Sequence, residues 1–334
     1  MQHRSTPKVS ILVAARNEAH CIERCLLYLS RLDYPTDALQ ILIGNDDSTD
    51  QTAEIIARFI QDKPHFQLIN ITQNIGLAKG KGNVLAQLAQ QATGEYFLFT
   101  DADIAVQPHW VQAMLAGFDT EKVGVINGLS TISGTPLLAR MQAIDWLANL
   151  LIIWLLSLIK IPITSMGNNM ATTAKAYRAT GGYENLKFSL TEDYRLFKAI
   201  LEQGFEFRQL MSPKCVAVSL PITTVKGWLV QRNRWITGAC EGGWYYQLLV
   251  CGLAALYVAV FALFWYAPVP MFLFWVTKYF IQNLVIIGLL GRLRQKHLWR
   301  WVWFYEIYAF VFTGMLFAYH FGNRKGVEWK SRQY

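Results

Sequence analysis

The sequence predicts an α/β domain built on a doubly wound, mostly parallel sheet, followed by a C-terminal transmembrane helical region. Three observations predict it. Short β-rich runs at 9–14, 39–44, 66–71 and 96–100 alternate with helical patterns, and such alternation argues for a parallel sheet. Polar and acidic loops follow the first, second and fourth of these runs, at the strand ends where open α/β sheets bind ligands. Charged and apolar residues are mixed up to about Thr224, whereas residues 245–321 are almost unbroken apolar and aromatic sequence, as in a membrane part. At 334 residues and 53% hydrophobic content, the chain can bury a substantial core in one large or two smaller domains.

Taken in order, Val9 to Ala14 is a β-rich run. Arg16-Asn17-Glu18 follows, with Asn17 placed to cap a helix reaching about Ser30. Tyr34-Pro35 breaks the chain before a second strand, Leu39 to Gly44, and an acidic turn, Asn45 to Asp50. A helix over 51–61 carries apolar residues at Ala53, Ile56, Ala57 and Ile60. A third strand at 66–71 leads through the Gly- and Lys-rich residues 76–83 into another helix. The fourth strand then runs into Asp101-Ala102-Asp103. No GxxxxGK[ST] is present, so an ATPase reading loses its main support. After Pro108 the pattern gives a helix and a β-rich stretch, 123–132. The apolar core of the next segment, 137–160, is short for a span, and it reads as a helix lying in the interface or packed on the membrane part. Thr191-Glu192-Asp193 precedes a helix over 194–202, and Gln231-Arg232-Asn233-Arg234-Trp235 lies in a further helix.

The five cysteines, Cys21, Cys25, Cys215, Cys240 and Cys251, form no CxxC pair and are expected to be reduced and mostly buried. Much of the net charge of +8 lies beside the apolar segments, in Arg292, Arg294, Lys296, Arg300 and the tail, which fits the cytoplasmic membrane surface. No nucleic-acid motif accompanies it. Residues 1–8 show no apolar signal-peptide core, so the first domain is expected on the cytosolic side.

Asp101 and Asp103 are the most informative pair. Two carboxylates one residue apart at a strand end repel each other, and they are held by a divalent cation, by basic partners or by open water. A solvated acidic turn is the bland alternative. Singly, the other polar stretches also have bland readings: a capped helix at Glu192 and Asp193, a membrane-boundary anchor at Arg234 and Trp235.

Together, and in order, Val9 to Glu18, Asn45 to Asp50, Thr100 to Asp103, Thr191 to Asp193 and Gln231 to Trp235 resemble the family-2 inverting glycosyltransferases. These have the A-type nucleotide-sugar-binding fold. The last stretch is the QxxRW signature of membrane-bound members such as ceramide glucosyltransferase and the cellulose and hyaluronan synthases. The resemblance implies a nucleotide site made by Ala15, Asn17, Glu18, Asp46, Asp47, Lys81 and Asp101, with Asp46 or Asp47 on the base. It implies a divalent metal, Mn or Mg, on Asp103 and a general base at Asp193 beside Glu192. Gln231, Arg234 and Trp235 would border the diphosphate and the acceptor. Asn45 stands where an acidic residue is common, and Ala14 replaces a frequent proline.

The expected organisation is a cytosolic glycosyltransferase domain over 1–225, a QxxRW interface helix over 226–244, about three membrane segments over 245–321 and a basic tail over 322–334. The first two segments are 245–267 and 269–290, with Pro268 and Pro270 at the turn between them, and the third is 301–319. Glu306 within the third must face the bundle interior unless that segment does not cross simply. The expected activity is inverting transfer of a sugar from a nucleotide donor, UDP-linked by resemblance, to a membrane lipid. A polysaccharide synthase is the alternative, and an inactive nucleotide-sugar-binding scaffold a third reading; a glycosidase would need neither the nucleotide turn nor a metal pair.

Overall fold

The computed structural model describes residues 6–240, 252, 262–322, 328–329 and 332–333. The chain divides into two compact units, one made of Met1–Ser133 and Asn149–Pro221, the other of Gly134–Ala148 and Ile222–Tyr334.

The first unit is organised on a seven-stranded sheet. Its strands are β1 (Val9–Ala15), β2 (Leu39–Asn45), β3 (Phe66–Asn70), β4 (Tyr96–Asp101), β5 (Val123–Asn127), β7 (Asn169–Thr173) and β8 (Glu206–Gln209), in the order β3-β2-β1-β4-β7-β5-β8. β1 pairs in parallel with both β2 and β4, and β2 with β3. These central strands read as continuous apolar runs because both faces are covered: Ile11, Leu12, Val13, Ile41, Leu42 and Ile43 are all fully buried. Gly44 shows how closely the cover lies. A Cβ there would meet Val84 Cγ1 at 2.3 Å, so only glycine lets α3 (Gly80–Gln91) approach β2.

β7 is the exception to the parallel pattern. It runs antiparallel between β4 and β5, with Thr100 opposite Asn169. Its N-terminal end, and the loop before it, therefore lie at the C-terminal end of β4. A second, two-stranded sheet pairs β6 (Leu129–Ile132) with β9 (Val216–Ser219), and a bridge between Ala105 and Val218 joins it to the turn after β4. The stretch expected as one β-rich run over 123–132 is thus two strands in different sheets, divided at Gly128. Asn169 is the polar link between the sheets. Fully buried, it accepts from the Trp110 indole (2.9 Å) and donates to the carbonyls of Leu129 (2.6 Å) and Cys215 (2.9 Å).

Helix α1 (Ile22–Leu29) begins later than Asn17, with Cys21 as its N-cap. Asn17 has a φ of 53°, a left-handed conformation that asparagine tolerates better than most residues. Its carboxamide oxygen accepts from the Thr49 amide at 2.8 Å, so the side chain braces the neighbouring turn instead of capping a helix. α2 (Thr52–Phe59), α4 (Trp110–Leu115), α6 (Ala174–Ala179) and α7 (Glu192–Glu202) complete the helices of this unit, with the second half of α5 (Leu137–Leu158). Cys21, Cys25 and Cys215 are free and buried, as expected of reduced thiols. The Cys240 side chain and Cys251 lie outside the described residues.

The second unit contains the first half of α5, α8 (Val225–Cys240), α9 (Pro268–Arg292) and α10 (Tyr305–Gly322), the last preceded by a 3₁₀ segment, Lys296–Phe304. Most of the expected segment 245–267 lies outside the described residues, as does most of the basic tail. Pro268 is not in a turn between spans but in the first turn of α9, where its missing N–H costs nothing. Among the described residues, three helices are long and apolar enough to cross a membrane: Leu137–Leu158, Pro268–Arg292 and Lys296–Gly322. The first of these was expected to be too short. Its apolar residues continue through one unbroken 22-residue helix, about the length a bilayer requires. Glu306 faces a partner helix: it is ion-paired with Lys278 and accepts from Gln282 at 2.8 Å.

Candidate active site

The strand order reverses at β1, which has β2 on one side and β4 on the other, and this switch point is where open α/β sheets bind ligands. The acidic residues named from the sequence gather at its C-terminal edge. Ala15 ends β1 and lies opposite Asn45, the last residue of β2; its carbonyl accepts from the Asp46 amide at 2.9 Å. Arg16 donates to the Asp46 carbonyl at 2.6 Å and lies 3.9 Å from its carboxylate. Asp46 is buried, whereas Asp47 is exposed and has a φ of 50°. The Glu18 amide donates to the Thr52 hydroxyl at 2.8 Å, and its carboxylate accepts from the Cys21 thiol at 3.3 Å. The β1 and β2 loops are therefore cross-braced by Arg16, Asn17 and Glu18.

Lys81, in the first turn of α3, joins two acidic centres. Its ammonium lies 2.6 Å from Asp101 at the end of β4 and 3.0 Å from Glu192 in the first turn of α7. Burial opposes its charge, but the carboxylates of Asp101, Glu192 and Asp193 outweigh that cost and hold its pKa above the ordinary lysine value.

Asp193 is set beside this pair. One carboxylate oxygen accepts from the Gly167 amide at 2.6 Å and the other from the Tyr194 amide at 2.8 Å. Burial, and then the like charge of Glu192, push its pKa up from 3.8 to about 6, against the opposing pull of Lys81 and the two amides. The Gly167 contact depends on glycine, because a Cβ there would meet Asp193 Cβ at 2.9 Å. Gly167 reaches Asp193 because β7 returns antiparallel beside β4.

Asp103 follows β4 in a turn held from two sides. Its carboxylate accepts from the Ser219 hydroxyl at 2.6 Å, and its carbonyl accepts from Arg24 at 2.8 Å. Asp101 and Asp103 offer carboxylate oxygens, the donors that suit Mg or Mn. A second group, Glu18, His20 and Cys21, has donor atoms within 4.8 Å of one another, but its thiol is already given to Glu18.

Ser219 and Arg24, which hold the Asp103 turn, and the contact of Gly167 with Asp193 are what sequence reading misses. No spacing signals them, since Ser219 meets Asp103 across 116 positions and Gly167 meets Asp193 across 26. Sequence reading also leaves the choice of sugar to the shape of the loops around Asn127, Gly128 and residues 167–170. Asn127 and Asn168 are buried, accepting from the Ser165 and Ser130 hydroxyls.

Within the second unit, the Gln231 to Trp235 stretch lies in α8, as expected. Arg232 pairs with Asp145 at 2.8 Å and lies over the Trp235 ring at 4.4 Å, while Trp235 packs edge-on against Trp146 at 5.2 Å. The Tyr305 hydroxyl donates to Asp145 at 3.2 Å, and Asn233 lies 2.7 Å from the His320 ring nitrogen. Gln231, Arg234 and Trp235 are half-buried. The neighbours Arg232 and Asn233, absent from the list of expected site residues, thus anchor this helix.

The mostly parallel sheet, with its ligand-binding edge at this switch point, is that of the A-type glycosyltransferase fold. The mannosyltransferase PcManGT from Pyrobaculum calidifontis, solved in complex with GDP-Man and Mn2+, has the same fold: TM-score 0.60, covering 90% of this chain and 86% of that one at 17% identity. The chain belongs to Glycosyl transferase family 21, whose profile matches residues 1–334. The motifs by themselves resemble family 2. Among curated relatives, the chain is 29% identical over 240 residues to the probable glycosyltransferase YdaM of Bacillus subtilis, covering 70% of this chain and 55% of that protein. It is 27% identical over 243 residues to a poly-beta-1,6-N-acetyl-D-glucosamine synthase of Staphylococcus epidermidis, covering 72% and 56%. The chain thus spans little more than half the length of these relatives.

Proposed function

We propose that this glycosyltransferase moves a sugar, with inversion, from a nucleotide donor to the hydroxyl of a membrane lipid. The observation that supports this reading is the continuous set Asp101–Lys81–Glu192 with Asp193 alongside, three carboxylates around one ammonium, read here as the donor side and the acceptor side of one site. Asp193 is the base. Its carboxylate takes the proton of the acceptor hydroxyl, whose oxygen attacks the anomeric carbon as the bond to the nucleotide diphosphate breaks on the opposite face. A pKa near 6 leaves it ionised at neutral pH yet basic enough to share a proton in the transition state.

Asp46, Asp47, Asn17, Glu18 and Ala15 line the nucleotide end in this reading, with Asp101 and Lys81 toward the diphosphate. Asp103 and Asp101 would hold a divalent cation, which when bound offsets the charge of the departing diphosphate. UDP is the proposed nucleotide. The diphosphate and acceptor roles of Gln231, Arg234 and Trp235 rest on the motif resemblance, as does the cytoplasmic orientation of the catalytic unit. The lipid acceptor is favoured by the three helices, among the described residues, long and apolar enough to span a bilayer. A polysaccharide synthase is the second reading, favoured by the relative of that name in Staphylococcus epidermidis.

Incubating the detergent-purified protein with UDP- and GDP-sugars and a membrane lipid extract, with Mn, Mg or a chelator, separates the readings. A single-sugar glycolipid is expected. Long polymer without glycolipid would replace the lipid reading by the synthase, and full transfer in chelator would remove the metal from Asp103.

A further inference from the structure

We infer that Ser219 is a positioning residue for Asp103, setting the orientation in which that carboxylate meets a divalent cation. The inference rests on the metal reading of Asp103 given above. The Ser219 hydroxyl donates to Asp103 Oδ2 at 2.6 Å, a short, charge-assisted bond of the kind that locks a carboxylate rotamer. It also has a longer contact with the Leu220 carbonyl at 3.4 Å, so the carboxylate is its better partner.

The backbone beneath both residues is fixed independently. Arg24 donates one guanidinium N–H to the Asp103 carbonyl at 2.8 Å and another to the Val218 carbonyl at 3.0 Å, tying α1, the turn after β4 and the end of β9 together. Ala105 and Val218 exchange two backbone hydrogen bonds at 2.9 and 2.8 Å. On the far side of β9, the Ser133 amide and hydroxyl both donate to the Ser219 carbonyl, at 2.9 and 3.0 Å. With Asp103 and Ser219 both held through their main chains, the hydroxyl–carboxylate bond bears on the direction of the carboxylate.

Outer-shell hydrogen bonds to a metal-binding carboxylate typically contribute 10–100-fold in metal affinity. Ser219 also occupies a telling place in the chain. It ends β9, and the next helix, α8 from Val225, carries Gln231, Arg234 and Trp235. The segment that leads into the acceptor motif therefore begins at the residue that aims Asp103.

The test is direct Mn2+ binding to the full chain in detergent, read from the loss of the free Mn2+ electron paramagnetic resonance signal, alone and with UDP. Ser219→Ala is expected to weaken binding about 10–100-fold, and Ser219→Thr, which keeps the hydroxyl, to restore it to within a few-fold. Ser219→Cys, nearly isosteric with a weaker donor, is expected to fall between them, and it serves if the alanine variant folds poorly. Asp103→Asn is the reference. If Asp103→Asn abolishes binding while Ser219→Ala and Ser219→Cys bind as tightly as the parent, Ser219 has no positioning role. If Asp103→Asn itself binds Mn2+ normally, the metal reading fails and this inference falls with it.

Discussion

At the scale of the residue, Asp193 is where the structure makes its sharpest demand on chemistry. Its pKa is raised from 3.8 to about 6 by burial and by Glu192, so it is protonated below that pH and ionised above it. A base must be ionised to act, and kcat/KM reports groups of the free enzyme. kcat/KM is therefore expected to rise as pH climbs through about 6 and to level off above it. Glu192→Gln removes the like charge and should move this limb to lower pH; an unmoved limb in that variant would assign it to another group. For stability the sign is opposite. A carboxyl whose folded pKa is raised adds stability below 3.8 that is lost as pH rises through about 6. Gly167→Ala offers a second measurement. The added Cβ would sit 2.9 Å from Asp193 Cβ and 3.2 Å from Oδ2, displacing the carboxylate while the amide donor remains. A fall in kcat of about 10–100-fold with little change in Tm is expected, since small misplacements of a reacting group cost that much. Asp101, Asp103 and Asp193 are named from the sequence only through the ordered set of motifs, since each stretch alone also reads as a solvated turn or a capped helix. The roles of Gly167 and Ser219 are not legible there, because they exist only once β7 reverses and β9 pairs.

At the scale of the element, two buried polar arrangements hold helices and sheets in register. Asn169 joins α4, β6 and the turn before β9 through three hydrogen bonds. Asn169→Ala leaves an indole N–H and two carbonyls without it, at about 1–3 kcal/mol for each group left unsatisfied. A loss of about 3 kcal/mol or more is expected, measurable as a drop in Tm; a change under about 1 kcal/mol would mean that the two sheets do not depend on this link. Asn169 lies in the stretch 167–170, whose loop shape the sequence reading ties to the choice of sugar; its place at a buried junction is not legible, because a short polar run looks the same whether it faces solvent or a buried junction. In the second unit, Glu306 raised the question of whether its helix could cross at all. Lys278 on α9 pairs with Glu306 on α10, with Gln282 as a further donor, so the carboxylate faces a neighbouring helix. The pairing was not legible, since neither helix face can be read from segments that are apolar almost all round. Lys278→Met strands the Glu306 charge, and both side chains are partly exposed. A cost of roughly 1–3 kcal/mol is expected, toward the low end of a broken buried pair. The Lys278→Met, Glu306→Met double variant should regain most of the Tm in detergent, whereas further loss would show that the pair itself stabilises the hairpin.

At the scale of the whole molecule, the chain passes between its two units three times, at 133/134, 148/149 and 221/222. The sequence reading placed a single change of character near Thr224, because hydropathy alone shows where apolar residues accumulate and not which unit buries them. The segment 134–148 is the consequence. It interrupts the catalytic unit in sequence, after Ser133 and before the part that holds Gly167 and Asp193, yet packs in the other unit, with Met141, Ile144 and Leu147 buried, Trp146 against Trp235, and Asp145 paired with Arg232 and hydrogen-bonded by Tyr305. A fragment cut at the apparent boundary, residues 1–221, would keep this segment and lose every one of those named partners. Each large apolar side chain returned to water costs about 1.5–3 kcal/mol, and Asp145 would lose its counter-charge as well. The fragment is therefore expected to aggregate or to need detergent in spite of containing all of the sheet and the Asp101, Asp103 and Asp193 carboxylates. Sedimentation of 1–221 in buffer without detergent checks this. A monodisperse fragment there would show that 134–148 folds adequately on its own, and that the catalytic unit is separable after all.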